Sequence, residues 1–442
     1  MSLATPPKVG ELQQALHVKA KAEPEFRFYQ LYDKVYRADV LLHAYRLCRA
    51  NAGAPGVDGM TFEKIEAKGL SEWLEELAVD LRKKTYSADP VRRVWIPKAG
   101  GKGERPLGIP TVRDRVVQTA VVLVIEPIFE ADLQPEQYAY RRQRSAQDAV
   151  KHVHRLVRNG YDEVIDADLS GYFDSIPHAA LMRSVARRVS DRWLLALIKQ
   201  WLVVAVEEDD GHGGKHRTNR ARREKKGVPQ GAPISPLLAN LYMRRFLLGW
   251  KVLGYQQKLR AYIVNYADDF VICCRGNAAS AMHIMRQMMT QLDLVVNEDK
   301  TCLRQLPEES IDFLGYTIGR CYSTKTGRAY VGTRPSKKSI QRTMARISAL
   351  TASRMTLLEA NEIVGRLNRL MIGWSNYFCL GPVSKAYRAV DAHAHRRLRQ
   401  WLCHKHKLAG QGTSRYPDEY LCNPLGLVRL SVRTHNLPWA KT

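Results

Sequence analysis

The chain has 442 residues, of which 45% are hydrophobic, so it is long enough for two or three domains and is not a disordered tail. Its 69 Lys and Arg residues outnumber the 44 Asp and Glu residues and leave a formal net charge of +25. The basic excess is concentrated at residues 215–226, at 334–346 and from Arg388 onward. Such clustering favours a large polyanionic partner, most simply nucleic acid.

The cysteines and the N-terminus bear on the compartment. Eight cysteines without a CxxC pair predict neither a disulfide framework nor a zinc ribbon. The opening MSLATPPKVGELQQ lacks the apolar core of a signal peptide, and no apolar run reaches the roughly 18 residues of a membrane span. These features predict a soluble, cytoplasmic protein without a membrane partner.

The first half of the chain predicts helices followed by short strands. Residues 1–90 are typical of helices broken at NAGAPGVDGMT, and RRVWIPK with RPLGIP predicts a hairpin around the glycine-rich AGGKGE. Residues 112–133 predict a buried helix. DEVIDADLS predicts a strand that passes through GYFDS into a helix capped by Ser175, with Pro177 in its first turn.

The second half predicts further strands and then basic helices. Residues 227–243 begin as a loop and become a helix, NYADDFVICC predicts part of a hairpin, and IDFLGYTI (311–318) predicts another strand. Beyond residue 335 the segments are basic and helical. One helix there has an apolar stripe, with Arg366 and Arg369 off it; the stripe consists of Ile363, Leu367, Leu370, Trp374 and Tyr377.

NYADDFVICC (265–274) contains two adjacent carboxylates, Asp268 and Asp269, within an apolar segment. Side chains alternate faces along a strand, so the two acids cannot point the same way if the segment is extended. The flanking β-branched and aromatic residues predict a hairpin with the acids at or near its turn. An isolated acidic pair of this kind is more often an ordinary solvated turn.

A second group of acids, Asp166, Asp168 and Asp174 in IDADLSGYFDS, changes this interpretation. One acid from this strand end together with the hairpin pair would form the all-oxygen site that Mg²⁺ prefers. Two such ions about 3.5–4 Å apart activate a hydroxyl and stabilise a leaving phosphate oxygen. With the basic charge, this favours phosphoryl or nucleotidyl transfer on nucleic acid. Spacing alone decides neither which upstream acid is the ligand nor whether the two groups meet.

The loop GVPQGAPISPLLANLYM (227–243) has two glycines and three prolines before its helix. Such a loop lets the backbone approach a ligand closely, and Gln230 offers an amide for hydrogen bonding. An ordinary helix entry would explain the same residues equally well.

These motifs together resemble the bacterial group II intron reverse transcriptase/maturases. YADD resembles the active-site box of that family, DADLSGYFDSIPH its first catalytic block, and GVPQGAPISPLLANLYM its template- and nucleotide-contacting block. The resemblance runs from about residue 40 to the C-terminus in family order. The further matching segments are NAGAPGVDGMT, WIPKAGGKGERPLGIPTVRDRVVQ, QYAYRRQRSAQDA, LDLVVNEDKTCL, IDFLGYTI and LNRLMIGWSNYF.

The resemblance implies the catalytic residues. Asp168, Asp268 and Asp269 are expected to be the catalytic acids and the ligands of two Mg²⁺ ions, with Asp166 and Asp174 structural. One ion would lower the pKa of the primer 3′-hydroxyl for in-line attack on the α-phosphate. The other would hold the triphosphate and the leaving pyrophosphate.

The resemblance also implies nucleotide-binding residues. Phe173 matches an aromatic residue that excludes ribose 2′-hydroxyls, although a core aromatic would look the same in sequence. Gln230 matches a residue that contacts the incoming nucleotide. Lys98 and Arg105 match a basic pair for the triphosphate, with Lys102 as an alternative in the glycine-rich linker. Lys300 in NEDKT matches a lysine that lies near the active site in the family. On the ordinary interpretation it would be a surface cation.

The implied fold is α+β, a right-hand polymerase with fingers, a palm containing an antiparallel sheet, and a helical thumb, followed by a small basic C-terminal region. We expect an N-terminal extension and the start of the fingers at 1–90, a fingers/palm reverse transcriptase domain at 91–335, a thumb/maturase domain at 336–404 and a small basic DNA-binding region at 405–442. The expected RNA-binding residues are Lys337, Lys338, Arg366 and Arg369.

The C-terminal third raises two further points. DAHAHRRLRQWLCHKHK (391–407) is rich in histidine and contains Cys403, but its spacing matches no zinc site, so nucleic-acid binding is favoured over metal. Some family members carry an HNH endonuclease with paired cysteines, and LVRLSVRTHNLPWAKT shows no such pattern. The primer for a mobile element is then expected to be an existing DNA end or a nascent strand.

The sequence therefore predicts an RNA-directed DNA polymerase, a nucleotidyltransferase that also binds group II intron RNA to assist RNA splicing and retrotransposition. Expected partners are the intron RNA, an RNA template, a DNA primer or target and dNTPs, with nucleoid association during mobility. The alternatives are a domesticated or defence- or repair-associated reverse transcriptase, and a non-catalytic RNA-binding splicing factor. The intact YADD and Asp168 argue against the last, because a pure binder gains nothing from carboxylates beside a phosphodiester backbone.

Overall fold

The fold is known from a computed structural model that describes residues 3–97, 103–209, 214–323 and 325–433. The described residues combine helices with three separate sheets. The helices are α1 (Pro7–Ala22), α2 (Tyr32–Val35), α3 (Ala38–Ala50), α4 (Phe62–Lys68), α5 (Leu70–Lys83), α6 (Val112–Glu130), α7 (Ala146–Arg158), α8 (Tyr172–Ser175), α9 (His178–Ala186), α10 (Arg192–Leu202), α11 (Arg220–Glu224), α12 (Ser235–Val252), α13 (Tyr255–Lys258), α14 (Ala278–Gln291), α15 (Lys337–Leu350), α16 (Ala360–Tyr377), α17 (Ser384–Lys405), α18 (Asp418–Cys422) and α19 (Leu430–Arg433).

The strands form two four-stranded sheets and one three-stranded sheet. The orders are β2-β1-β4-β5, β6-β7-β3-β8 and β11-β10-β9, and every pairing is antiparallel except that of β1 with β4. The strands are β1 (Val91–Pro97), β2 (Glu104–Ile109), β3 (Glu163–Ala167), β4 (Val206–Asp209), β5 (Lys215–Thr218), β6 (Ala261–Tyr266), β7 (Asp269–Cys274), β8 (Cys302–Gln305), β9 (Ser310–Phe313), β10 (Tyr316–Tyr322) and β11 (Ala329–Pro335).

The sheet β6-β7-β3-β8 is covered on both faces. Phe270 and Ile272 of β7 join a core formed with the N-terminal helices, α12 and α14. Val271 and Cys273, on the opposite face, join a second core formed with α7 and the C-terminal helices. This double burial explains why FVICC is apolar at every position rather than at every second one.

Several sequence predictions are confirmed. The N-terminal segment is helical, β1 and β2 form the predicted hairpin, and α6 is the predicted buried helix. Thr111 caps α6, because its hydroxyl accepts a hydrogen bond from the backbone N–H of Asp114 at 3.2 Å. No helix among the described residues is both long and apolar enough to cross a bilayer.

Two local predictions are wrong. IDFLGYTI is two paired strands, because Leu314 and Gly315 have φ of 50° and 81° and turn the chain between β9 and β10. Ser175 does not cap the next helix; its hydroxyl donates to the carbonyl of Tyr172 at 3.0 Å and closes α8 instead. The following helix, α9, starts after Pro177, which occupies the N-cap position.

The C-terminal helices pack against an apolar face of α16. This face is rotated by a fraction of a turn from the stripe that the sequence predicts. Ile363, Leu367 and Trp374 are buried as expected, whereas Leu370 and Tyr377 are only partly buried. The remaining buried apolar positions of α16 are Val364 and Met371. The helix therefore faces the second core with positions 363, 364, 367, 371 and 374.

Substitutions at two separate glycines test the packing between this helical region and β11. Gly381 has φ of +69°, and a Cβ there would overlap the carbonyl oxygen of Thr333. Gly381→Ala is therefore expected to lower the melting temperature, since the backbone conformation alone costs about 1–3 kcal/mol. The matched control is Gly373→Ala on α16, where a Cβ meets nothing within 4 Å.

In the control the exchange removes a flexible residue from a helix and is expected to raise the melting temperature by about 1–3 °C. Differential scanning calorimetry measures both variants. Equal melting temperatures for the two variants would contradict the close contact between residue 381 and β11.

Candidate active site

The acidic hairpin turn lies at one end of the doubly covered sheet. Tyr266 pairs with Asp269 across β6 and β7, which leaves only Ala267 and Asp268 in the turn. Ala267 has φ of 59°, and its carbonyl accepts a hydrogen bond from the Asn265 side-chain amide at 2.8 Å. That bond holds a backbone conformation that non-glycine residues adopt rarely. The turn places Asp268 and Asp269 at the sheet edge, as the sequence predicts.

Asp168 reaches the same edge from β3. Ala167, the last residue of β3, pairs with Phe270, so Asp168 is one position further along and opposite Asp269. Directly opposed residues of antiparallel strands have Cβ atoms about 5 Å apart. The register therefore brings together the two acidic groups that sequence spacing alone left apart, with Asp166 two residues earlier on the same face of β3.

Burial and the mutual repulsion of these carboxylates change their pKa values. Burial, then the charges of Asp268, Asp168 and Asp166, raise the pKa of Asp269 to about 6. Asp269 keeps contact with solvent, so its carboxyl is only partly removed from water. Burial and the neighbouring Asp168 also raise the pKa of Asp166 to about 6. The site therefore stores negative charge that a cation would relieve.

One cation of the chain already contacts this group. The Lys300 ammonium donates to Oδ2 of Asp168 at 2.8 Å, and the Asn297 side-chain amide donates to the same oxygen at 3.1 Å. The hydrogen bond to Asp168 raises the pKa of Lys300. Lys300 lies in a turn rather than on a helix, and the backbone N–H of Asn297 donates to the carbonyl of Asp168 at 2.8 Å. Lys300 is thus a partner of the acids and not a detached surface cation.

The residues have the chemistry of a divalent-metal site, since they offer only carboxylate oxygens, the ligands that Mg²⁺ prefers. Their present side-chain positions do not form a closed ligand set: within the described ranges, no three His, Cys, Asp or Glu side chains are placed to hold a metal ion. One oxygen of Asp168 is instead taken by Lys300 and Asn297. A metal ion would therefore have to compete with Lys300 for Asp168.

The loop containing Gln230 is fixed to the hairpin β1–β2. The backbone N–H of Gly108 donates to the carbonyl of Gln230 at 2.7 Å. Gly231 has φ of +103°, and a Cβ there would lie 2.6 Å from the Gly108 carbonyl oxygen and 2.7 Å from Cδ1 of Leu107. Only glycine permits this approach without displacing β2. The loop thereby joins the first sheet to the acid-bearing one.

The same loop is fixed to the segment that follows Asp168. The backbone N–H of Val228 donates to the carbonyl of Phe173 at 2.7 Å, and the Gln230 amide donates to Oδ2 of Asp174 at 3.0 Å. Phe173 is partly buried and packs against the first core. Phe173 and Gln230 therefore belong to one local unit, and Asp174 orients the amide.

Of the predicted triphosphate residues, Arg105 is described, whereas Lys98 and the alternative Lys102 lie outside the described residues. Arg105 is exposed on β2. Burial and the nearby Asp268 raise the pKa of Tyr140, and Arg105 lowers it. Tyr140 is therefore near enough to both Asp268 and Arg105 for their charges to act on it.

The predicted RNA-binding residues lie on other elements. Lys337 and Lys338 are exposed at the first two positions of α15. Arg369 is exposed on α16, and Arg366 is paired with Glu362 at 2.6 Å. These four side chains are on the C-terminal helices rather than at the acidic sheet edge.

Sequence reasoning missed three residues of the site: Asn265, Asn297 and Tyr140. The sequence could have singled out Asn265, because it is the one amide within the apolar segment AYIVNY. Asn297 lies three residues before Lys300 in NEDK, but its contact with Asp168 depends on how that turn folds back. Tyr140 has φ of 55° in an irregular segment, which no sequence pattern indicated.

Two family models match the chain. Residues 96–318 match the family described as Reverse transcriptase (RNA-dependent DNA polymerase), and residues 340–416 match the group II intron, maturase-specific domain. The first range contains the acids Asp168, Asp268 and Asp269, and the second contains Arg366 and Arg369.

Individual proteins agree with these models. The protein YkfC of Escherichia coli (strain K12) is 33% identical over 368 residues, which cover 75% of this chain and 93% of YkfC. The group II intron-encoded protein LtrA of Lactococcus lactis subsp. cremoris is 28% identical over 359 residues, which cover 66% of this chain and 57% of LtrA. Over 119 residues the chain is 30% identical to nuclear intron maturase 2, mitochondrial, of Arabidopsis thaliana, covering 26% of this chain and 16% of that protein. Both family models and the similarity to LtrA support the same conclusion: the chain belongs to the group II intron reverse transcriptase/maturase family.

Proposed function

We propose that the chain is an RNA-directed DNA polymerase that also binds group II intron RNA. The observation that carries the proposal is the opposition of Asp168 and Asp269 at the sheet edge beside Asp268, with Lys300 on Asp168. Three carboxylates close enough to raise the pKa of Asp269 are costly for stability. In a chain of net charge +25, that cost is understandable where a phosphate-bearing substrate and its cations bind.

We infer that Asp168, Asp268 and Asp269 bind divalent metal, namely two Mg²⁺ ions. Bound there, the ions would supply Lewis-acid activation of a primer hydroxyl and neutralisation of a leaving pyrophosphate. The chain's own contribution is to fix the three carboxylates on one rigid sheet edge, through the β3–β7 register and the Asn265 bond to the turn. Lys300 can then donate to a phosphate oxygen when it leaves Asp168.

The nucleotide would lie between the acidic edge and the loop of Gln230. We assign the amide of Gln230 and the ring of Phe173 to the sugar of the incoming nucleotide. Arg105 on β2, together with Lys98, would bind its triphosphate. The shared contacts of the loop with β2 and with Phe173 support this, because they join the three elements into one surface.

The RNA-binding role rests on the C-terminal helices. Lys337 and Lys338 occupy the positive end of the α15 dipole, so helix and side chains together favour a phosphate. The exposed pair of Arg366 with Glu362 is worth little by itself, so RNA phosphates can compete for this arginine. We accordingly place the fingers and palm at 91–335, the thumb/maturase region at 336–404 and a basic DNA-binding region from 405 onward.

The first experiment removes one acid. Asp268→Asn keeps the shape of the turn but removes one charge, and is expected to lower primer extension on an RNA template with Mg²⁺ and dNTPs on the order of a thousandfold. The matched control is Asp293→Asn, an exposed acid with φ of 55° that asparagine tolerates.

The outcomes separate the possible functions. Absence of extension by the unmodified chain would sink the polymerase proposal and favour a non-catalytic splicing factor. Activity retained by Asp268→Asn would refute the site assignment. Splicing of a group II intron RNA is expected to survive Asp268→Asn, because RNA binding rests on the basic helices. Loss of splicing in this variant would contradict that division.

Phe173 provides a test of nucleotide selection. Phe173→Ala removes the ring beside the proposed sugar site and is expected to raise the ratio of ribonucleotide to deoxyribonucleotide incorporation by at least about tenfold. Steady-state primer extension with each nucleotide measures the ratio. A fall in both rates with an unchanged ratio would show that Phe173 serves only the core.

The basic helices are tested by salt dependence. Lys337→Ala with Lys338→Ala is expected to weaken binding of intron RNA and to reduce the slope of log K against log salt by about 1 for each lost phosphate contact. Extension of a short primer and template should remain within a few fold. Lys258→Ala, an exposed lysine of α13, is the control. An unchanged slope in the double variant would remove these lysines from the RNA site.

A further inference from the structure

A chain of contacts joins Cys422, His395 and Asp418 in the C-terminal region, outside the acidic site. Sγ of Cys422 is 3.5 Å from Nε2 of His395, and Nδ1 of His395 is 3.1 Å from Oδ2 of Asp418. His395 is on α17 and is 7% exposed, whereas Cys422 and Asp418 are the last and first residues of α18. A thiol, an imidazole and a carboxylate are thus aligned in the order in which a nucleophile, a base and its orienting group are found.

Two guanidinium groups complete the cluster. Nε of Arg429 donates to Sγ of Cys422 at 3.0 Å. Arg399 of α17 donates to the other carboxylate oxygen of Asp418, so that carboxylate is held in place on both sides. Partial burial opposes ionisation of Asp418, but its hydrogen bonds to His395 and Arg399 prevail and lower its pKa. The fixed carboxylate on Nδ1 holds the imidazole with Nε2 toward the sulfur.

The environment of Cys422 differs from that of the other cysteines. Among the described residues, Cys422 is the one cysteine whose sulfur is in contact with both an imidazole and a guanidinium. Burial raises the pKa of Cys273 and Cys274 within the sheet, and burial likewise raises the pKa of Cys379. The sulfur of Cys422 thus has beside it an imidazole nitrogen that can accept its proton and a guanidinium that contacts it directly, the neighbours typical of a reactive cysteine.

We infer that Cys422 is a modification site, a nucleophilic thiol paired with His395 that reacts with peroxides and with soft electrophiles before the other cysteines of the chain. With hydrogen peroxide, the sulfur attacks one oxygen, an S–O bond forms and the O–O bond breaks. The sulfur is oxidised and the peroxide is reduced. Nε2 of His395 accepts the thiol proton as the sulfur attacks and passes it to the departing hydroxide, which leaves as water, and Cys422 becomes a sulfenic acid.

The modification would act on the attachment of the C-terminal segment. Residues between α18 and α19 are held by Asn368 of α16, whose side chain contacts the carbonyl of Gly426 and the N–H of Val428. The backbone N–H of Leu430 is held by Asp391 of α17. Oxidation of Cys422 adds an oxygen to the sulfur that Arg429 contacts in the middle of this segment. We expect faster amide exchange over residues 418–433 after oxidation.

The experiment uses the whole chain and substoichiometric iodoacetamide, with each cysteine quantified by mass spectrometry between pH 6 and 9. Cys422 should react at least about tenfold faster than the partly buried Cys379 at pH 7, and its rate should depend less on pH, since an ordinary thiol ionises near 8.5. The groups that face the sulfur or its partners are His395, Arg399 and Asp391 from α17, Asp418 from α18 and Arg429.

Variants separate activation from simple exposure. His395→Gln and Arg429→Gln should each slow alkylation of Cys422 at pH 7 and move the midpoint of its pH profile upward, while Cys379 is unchanged. Arg429→Lys, which keeps a cation, should retain part of the effect. Labelling of the buried Cys273 reports unfolding in every variant. Hydrogen peroxide followed by a sulfenic-acid trap should mark Cys422 first.

Three results would overturn the proposal. The first is a Cys422 pH profile with the same midpoint as that of Cys379. The second is a profile unaffected by His395→Gln in a variant whose Cys273 stays protected. The third is peroxide labelling of another cysteine ahead of Cys422. Neither polymerase activity nor RNA binding enters these measurements, so they stand independently of the proposed function.

Discussion

Repulsion among carboxylates at one end of a buried sheet is the constraint on which the arrangement of this chain depends. The sheet β6-β7-β3-β8 is covered by a core on each face, so charged groups are tolerated only where its strands end. Asp168 and Asp269 meet at that end because the β3–β7 register continues one residue beyond Ala167. Two large apolar cores offset the cost of keeping these charges together, and Lys300 relieves part of it.

The sequence predicted the hairpin and its acids because both follow from local rules. Strand alternation and turn preference act over a few residues, and NYADDFVICC satisfies both. IDFLGYTI shows where such rules stop. Its apolar run conceals a turn at Leu314 and Gly315 that is decided by backbone conformation rather than by hydrophobicity. The bond of Asn297 to Asp168 joins residues 129 positions apart and was not predictable from either segment alone.

The surface around Gln230 depends on backbone contacts between elements that are distant in sequence. Gln230 reaches its position because Gly231 lets the loop lie against Gly108 and because Val228 pairs with the carbonyl of Phe173. Each of these contacts uses a backbone group or the absence of a side chain. A motif therefore marks the loop, whereas its partners appear only in three dimensions. The same reason explains why Asp174, acidic but distant from the ligand set, is an orienting partner of the Gln230 amide.

The charges in the C-terminal cluster are arranged in the opposite way from those at the acidic sheet edge. At the sheet edge the chain gathers anions and leaves them short of cations, whereas Cys422 is a potential anion placed between His395 and Arg429. Both arrangements draw on the same excess of basic residues. An excess that attracts a polyanion also lowers the cost of ionising a thiol, because each cation near the sulfur favours the charged form. At Cys422 these neighbours are held in place by the chain itself, because Asp418 fixes the imidazole beside the sulfur.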